Sequence, residues 1–184
     1  MINRKPVLMI HDMREEFLSL PLENYTLTFD DGLYSQWHFL PQLERINTDK
    51  VFFISTGFIC DGEQSHVFPN SQLAHDKGRA GQLEDFMTID QIKQIIKTPN
   101  CFVGGHGHQH VRLNELTRRT DQIKIINSYT RTMLAEFANK VGITPDRFCF
   151  PYNEELNGLY AGILRTFGFT EFYGRGRIAV ESLV

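Results

Sequence analysis

Cys101-Phe102-Val103-Gly104-Gly105-His106-Gly107-His108-Gln109-His110 passes without a break from a short apolar run into a cluster of glycine and histidine. A run this short, with no helical period, reads as a buried strand, and the cluster then stands at its C-terminal end. The same order recurs along the chain. Tyr25–Phe29 leads into Asp30-Asp31-Gly32, and Phe148–Phe150 leads into Pro151-Tyr152-Asn153. Val7–His11 and Val51–Ser55 are further strand candidates, and Glu171–Tyr173 and Ile178–Val180 are weaker ones. Helical periods fill the intervals. Thr88-Ile89-Asp90-Gln91 has the form of a capping box, after which Ile89, Ile92, Ile95 and Ile96 keep one apolar face. Ile123, Ile126, Met133, Leu134, Phe137 and Val141 mark a long amphipathic helix from about Leu116 to Lys140, closed by Gly142. A third stripe, Leu159, Ile163, Leu164 and Phe167, ends at Gly168. Strand–helix alternation predicts an α/β protein with parallel strands and helices packed outside, as an open sheet or a barrel. In either form, chemistry collects on loops at the C-terminal ends of strands.

The 184 residues suit one domain, spanning 1–184, with a single core. A formal charge of −3 and a pI near 6.2 argue against a nucleic-acid or anionic-membrane partner. The longest apolar run near the start, Val7-Leu8-Met9-Ile10, is too short for an export signal or a membrane span. The expectation is therefore a soluble, cytoplasmic protein. Cys60, Cys101 and Cys149 are odd in number and widely spaced, which gives neither a disulfide framework nor a metal knuckle. The polar stretch Asp61–Asp85 has no convincing period. It reads equally as a lid over a site and as a mobile surface insertion.

Two adjacent carboxylates at a half-buried strand end, Asp30 and Asp31, repel each other unless a cation or donors compensate. A bound metal with one Asp as ligand resolves the cost, and a helix N-cap with a solvated Asp-Gly turn is the plain alternative. His106 and His110 are four apart, which puts both imidazoles on one side if the segment turns helically, and His108 then points elsewhere. Two neutral imidazoles and one carboxylate make a three-ligand site with open positions, the pattern of catalytic zinc. At the Pro151-Tyr152 exit, a backbone N–H is available as an oxyanion donor, though strand–Pro–Tyr is also ordinary core and turn chemistry.

In order and spacing these segments resemble the polysaccharide deacetylases of carbohydrate esterase family 4, metal-dependent amide hydrolases, over nearly the whole chain. The resemblance rests on Pro6–His11, on Thr28-Phe29-Asp30-Asp31-Gly32, on Val51–Ile54, on His106-x-x-x-His110, and on Cys149-Phe150-Pro151-Tyr152-Asn153. It implies a distorted, incomplete (β/α) barrel. It assigns Asp30 as catalytic base, Asp31, His106 and His110 as metal ligands, and the backbone N–H of Tyr152 as oxyanion donor. It further implies a divalent cation, zinc first and Co²⁺, Ni²⁺ or Mn²⁺ as alternatives. The substrate implied is an N-acetylated amino sugar, as a small molecule or within an oligosaccharide. A non-catalytic carbohydrate-binding relative and a hydrolase of a non-sugar amide are the alternatives. The chain departs from the family pattern twice. Cys149 stands where the third motif commonly has an Arg that positions the catalytic Asp. The family's C-terminal acid His has no counterpart, since the last His here is His110.

His11, at the end of the first strand, is a candidate substitute acid and equally a structural His. Further options for the acid are Asp30 returning its proton and a His from the polar segment. His66 and His75 would reach the site if that segment folds over it, but are expected as solvated loop residues. Trp37 is expected as packing rather than sugar stacking, and Arg175 and Arg177 as exposed turn charge rather than binders of an anionic substrate group.

Overall fold

A computed structural model describes residues 5–184. Seven strands, β1 (Val7–Ile10), β2 (Thr26–Phe29), β3 (Lys50–Ile54), β4 (Cys101–Gly105), β5 (Arg147–Cys149), β6 (Glu171–Tyr173) and β7 (Ile178–Ala179), form one sheet in the order β6-β5-β4-β3-β2-β1-β7. Every neighbouring pair is parallel. β6 and β7 lie at opposite edges, yet only residues 174–177 separate them in the chain. Five Cα steps reach at most ~18 Å, so the sheet has curled until its edges nearly meet. This is the distorted, incomplete barrel that the resemblance implied.

Six α-helices accompany the sheet: α1 (Tyr34–His38), α2 (Leu40–Glu44), α3 (Ser71–Arg79), α4 (Ile89–Lys97), α5 (Arg119–Glu136) and α6 (Leu159–Arg165). Among them, α4 has the expected capping box: the Thr88 hydroxyl accepts from the Gln91 N–H while the Gln91 side chain accepts from the Thr88 N–H. α5 runs shorter than its apolar stripe suggested. It passes into a single π-helical turn, Phe137–Val141, that closes at Gly142 with φ 84°.

Strands with both faces covered carry apolar residues in succession rather than in alternation, and β3 is buried along its whole length. Phe52 joins Phe29, in a stacked pair 4.6 Å apart, in the large core between sheet and helices. Val51 and Phe53 face the barrel interior with Cys149. A separate cluster of Leu33, Phe58, Ala74 and Phe86 holds α3. Within the described residues, no helix is long and apolar enough to cross a membrane.

Two local expectations change. The stretch Asp61–Asp85 contains α3, which has an ordinary start signal: the Asn70 side chain accepts from the Leu73 N–H at 2.9 Å. Residues 106–110 are not helical. Gly107 at φ 78° and His110 at φ 45° fold a tight loop instead, and the loop returns His110 beside His106.

Candidate functional site

The C-terminal ends of β1, β2, β4 and β5 open into a cavity of 410 Å³, whose wall includes His11, Asp30, Asp31, His75, His106, His110 and Tyr152. A larger cavity of 1080 Å³ lies elsewhere, lined by opening residues of strands such as Val7, Thr26, Arg147 and Glu171, and it holds no imidazole. The cluster of carboxylates and imidazoles is in the smaller one. Backbone strain is concentrated there too: of the seven non-glycine residues with positive φ among the described residues, Asp31, His110, Tyr152 and Asn153 line it. Each such conformation costs of order 1–3 kcal/mol and persists only where surrounding packing enforces it.

Asp31 is the centre of one half. Its Oδ1 lies 3.3 Å from Nε2 of His106 and 3.3 Å from Nε2 of His110, and it is buried without a hydrogen-bond partner. Its Oδ2 accepts from the Ser71 hydroxyl at 2.6 Å. Nδ1 of His106 pairs with the Cys149 carbonyl at 2.8 Å, which places a proton on Nδ1, and Nε2 faces Asp31. Burial opposes the charged imidazole, but Cys149 and Asp31 hold the His106 pKa well above its usual range, so a cation would take the place of the Nε2 proton. Burial opposes ionisation of Asp31, but His110, His106 and His75 outweigh it and hold the carboxyl well below its usual range. Burial likewise holds the His110 imidazole well below its usual range. An anionic carboxylate and a neutral imidazole are the forms that a cation requires. Asp31, His106 and His110 therefore fit a divalent cation, and their mixed oxygen and nitrogen donors accept Zn²⁺, Co²⁺, Ni²⁺ or Mn²⁺.

Asp30 is the centre of the other half. Arg177 grips it with two parallel bonds, Nη1 to Oδ1 and Nη2 to Oδ2, both 2.7 Å. The same guanidinium donates to the Thr28 hydroxyl and to Asn153 Oδ1. Burial would raise the Asp30 pKa, but the Arg177 charge overrides it and brings the carboxyl to about 2. Burial and the neighbouring Asp30 push the Cys149 thiol up to about 11, so Cys149 stays neutral and offers Asp30 a weak S–H contact at 3.4 Å. His11 Nε2 is 3.9 Å from Asp30 Oδ2, with 34% of its side chain exposed in the cavity wall. The Tyr152 ring packs on His110 at 4.5 Å, under the Arg112 guanidinium.

Two expectations are overturned. Arg177 is not exposed turn charge. Its side chain is 4% exposed, and it enters through the seam between β6 and β7 to supply Asp30 with the guanidinium that Cys149 cannot. Only Arg175 of that pair is exposed. His75 is not a solvated loop residue either. It is 3% exposed, and its Nε2 lies 3.0 Å from Asp31 Oδ1. The sequence held a usable signal for His75: Asn70 as a cap, then Ser71 and His75 one helical turn apart. No local signal marked Arg177, because its partner is 147 positions away. Other expectations agree with the structure. His66 is exposed, His108 turns aside to the Thr56 hydroxyl at 2.9 Å, and Trp37 packs at α1 with its indole N–H on Gln94.

A sequence model described as polysaccharide deacetylase matches residues 21–172. Among solved structures, IcaB from Ammonifex degensii is similar at 20% identity and TM-score 0.67, over 95% of this chain and 84% of that one. A de-N-acetylase from Aggregatibacter actinomycetemcomitans is similar at 11% identity and TM-score 0.65, over 95% and 92%. The Streptococcus pyogenes deacetylase PplD, solved in complex with acetate, is similar at 13% identity and TM-score 0.59, over 97% and 95%. At these identities the structures share the fold. No curated protein sequence matches.

Proposed function

The chain belongs to the polysaccharide deacetylase family, and we propose that it is a divalent-cation-dependent hydrolase that removes an N-acetyl group from an amino sugar. The observation that carries this reading is the unpartnered, buried Oδ1 of Asp31 between the Nε2 atoms of His106 and His110. It stands beside a second carboxylate that is held ionised.

Asp31, His106 and His110 would hold the cation. When bound, such an ion supplies Lewis acidity, which polarises an acyl carbonyl and brings the pKa of water toward neutrality. Asp30 is the general base. Its two bonds to Arg177 fix the carboxylate plane and keep it anionic, so it orients the attacking water and takes its proton as charge moves onto the acyl oxygen. Arg177 is a positioning residue in this scheme. The backbone N–H of Tyr152 donates to the developing oxyanion, and the left-handed backbone at Tyr152, φ 55°, fixes the direction of that donor.

An amine leaves only if it is protonated. Of the four histidines in the cavity wall, three have their Nε2 atoms on Asp31, and His11 alone stands apart at Asp30. His11 is the general acid. Gln36 donates to the backbone carbonyls of both His11 and Asp30, which fixes the ends of β1 and β2 relative to each other. A 410 Å³ cavity suits a sugar unit with its acyl group and excludes a large folded partner.

The test is acetate release from N-acetylglucosamine oligomers, with and without added cation. Acetate released by the cation-loaded wild type and lost in Asp30→Asn supports the reading. Sugar binding without acetate release makes the chain a carbohydrate-binding relative. Turnover of another amide, with N-acetyl sugars inert, moves the substrate class.

A further inference from the structure

We infer that His75, on α3, is a fourth protein ligand of the cation, so that cation binding pins α3 onto the mouth of the barrel. This rests on the reading of Asp31, His106 and His110 as the cation site, and it adds a residue from a segment outside the strand-end loops.

The packing of α3 brings His75 to its place. The buried face of the helix is Ala74, His75 and Gly78. Gly78 is small because a Cβ there would stand 3.0 Å from both Phe58 and Phe86, whose rings stack at 5.1 Å. With no side chain in the way, α3 settles on these two rings. Ser71 and His75, four residues apart and so on one face of the helix, are then both aimed at Asp31. The Ser71 hydroxyl takes Oδ2, and His75 Nε2 lies 3.0 Å from Oδ1. Lys77 ties the far side of the helix down through Asp85 at 2.9 Å.

The surroundings of His75 separate a ligand from a packed histidine. A buried imidazole ordinarily has a hydrogen-bond partner on each nitrogen that is shielded from water. Neither nitrogen of His75 has one, and neither does Oδ1 of Asp31, despite the 3.0 Å between Nε2 and that oxygen. The atoms are close without forming a hydrogen bond. Ligand atoms ~2.0–2.1 Å from a tetrahedral ion stand ~3.3–3.4 Å from one another, so close contact without a hydrogen bond is what ligands of one ion show. The three Nε2 atoms stand 3.0, 3.3 and 3.3 Å from Oδ1. One ligand atom each from Asp31, His75 and His110 also fall within 4.8 Å of one another, whereas His106 groups with Asp30 and Cys149 and would have to draw in to complete the set. The His75 ring stacks on His110 at 4.2 Å, and the edges of Phe58 and Phe86 close the pocket around it. An acid serving the leaving group would face the open cavity, as His11 does. Zinc sites sometimes expand to five-coordinate in the transition state, and with four protein ligands a substrate oxygen would enter by that expansion.

Two measurements on the full chain test the assignment. In the first, Zn²⁺ and Co²⁺ affinities are measured for wild type, His75→Ala, the volume-conserving His75→Gln, His11→Ala and His106→Ala. The expected result is affinity lowered by roughly 10–100-fold or more in both His75 variants, the scale at which even an outer partner of a ligand acts. The visible Co²⁺ spectrum should change in both, while His11→Ala binds as wild type does. In the second, hydrogen exchange of unmutated protein is followed with and without Zn²⁺, so a folding defect in a variant cannot decide the matter. Exchange in residues 71–79 should slow together with that in 106–110. Unchanged affinity and an unchanged Co²⁺ spectrum in the His75 variants would overturn the assignment, even if acetate release fell. So would protection confined to 106–110. In either case loss of affinity in His106→Ala leaves the three-ligand site standing. Wild type that takes up no cation overturns that site and His75 with it.

Discussion

Asp30 and Asp31 are neighbours at the end of one strand and equally buried, yet their surroundings are opposites. Around Asp31 stand imidazoles with nitrogens left unpartnered, and one carboxylate oxygen has no hydrogen bond. Around Asp30 both oxygens are taken by one guanidinium. The first arrangement leaves buried polar atoms unpartnered, which the proposed cation would satisfy, and the second is complete as it stands. The difference also lies in where the partners come from. Asp31 is served by the loop after β4 and by α3. Asp30 is served by the seam between β6 and β7, and by the ends of β1 and β5. In the proposed reading a pair of like charges takes two roles because the chain delivers different donors to each side.

Removing the Asp31 side should have the largest effect. His106→Ala is expected to abolish stoichiometric cation binding and lower acetate release by ~10³-fold or more, the several kcal/mol that a Lewis acid contributes. Metal analysis and acetate assays on the same preparation check both. His11→Ala should cost ~10²-fold on an N-acetyl amide, within the usual range of general acid catalysis. It should cost much less on an activated aryl acetate, whose leaving group needs no proton. Equal losses on both substrates would assign His11 a structural role.

Arg177→Met tests the Asp30 side. With the guanidinium gone, burial is opposed only by the smaller effects of His106 and His11 and the Asp30 pKa rises, so the acidic limb of the pH–rate profile should move to higher pH. Activity at neutral pH should fall ~10-fold or more from lost orientation, with Arg177→Lys recovering part of it. Stability follows the same linkage. A folded pKa of about 2 lies below the ordinary 3.8, so the wild type has this contribution above about pH 4 and loses it as pH falls toward 2. It amounts to about 2 kcal/mol. Denaturant melts of wild type and Arg177→Met should therefore converge at low pH. The smallest effect belongs to Tyr152→Ala, which keeps the backbone donor. Acetate release should fall by less than ~10-fold, the cost of losing the ring packed on His110.

The sequence was most legible where the candidate site residues sit directly after a strand. Asp30-Asp31 and His106 to His110 follow apolar runs, and the strand–helix alternation around them implied the parallel architecture that the sheet has. What was hidden is long-range. Arg177 follows a glycine-flanked turn that looks solvated until the curl of the sheet brings β7 against β1, across from Asp30. His75 sits in a polar segment whose helix is short and packs through Ala74 and Gly78, so it leaves no apolar stripe to read. The loop 106–110 brought its histidines together as expected, by a route that helical spacing did not describe, because Gly107 and His110 adopt positive φ.

The most direct test is a cation titration of chelator-stripped full chain, with acetate release from N-acetylglucosamine oligomers followed at each point. The stripped protein should release no acetate, and release should rise linearly with added cation and saturate near one equivalent of Zn²⁺ or Co²⁺. Full release from the stripped protein, or none at any cation concentration, would contradict cation-dependent hydrolysis.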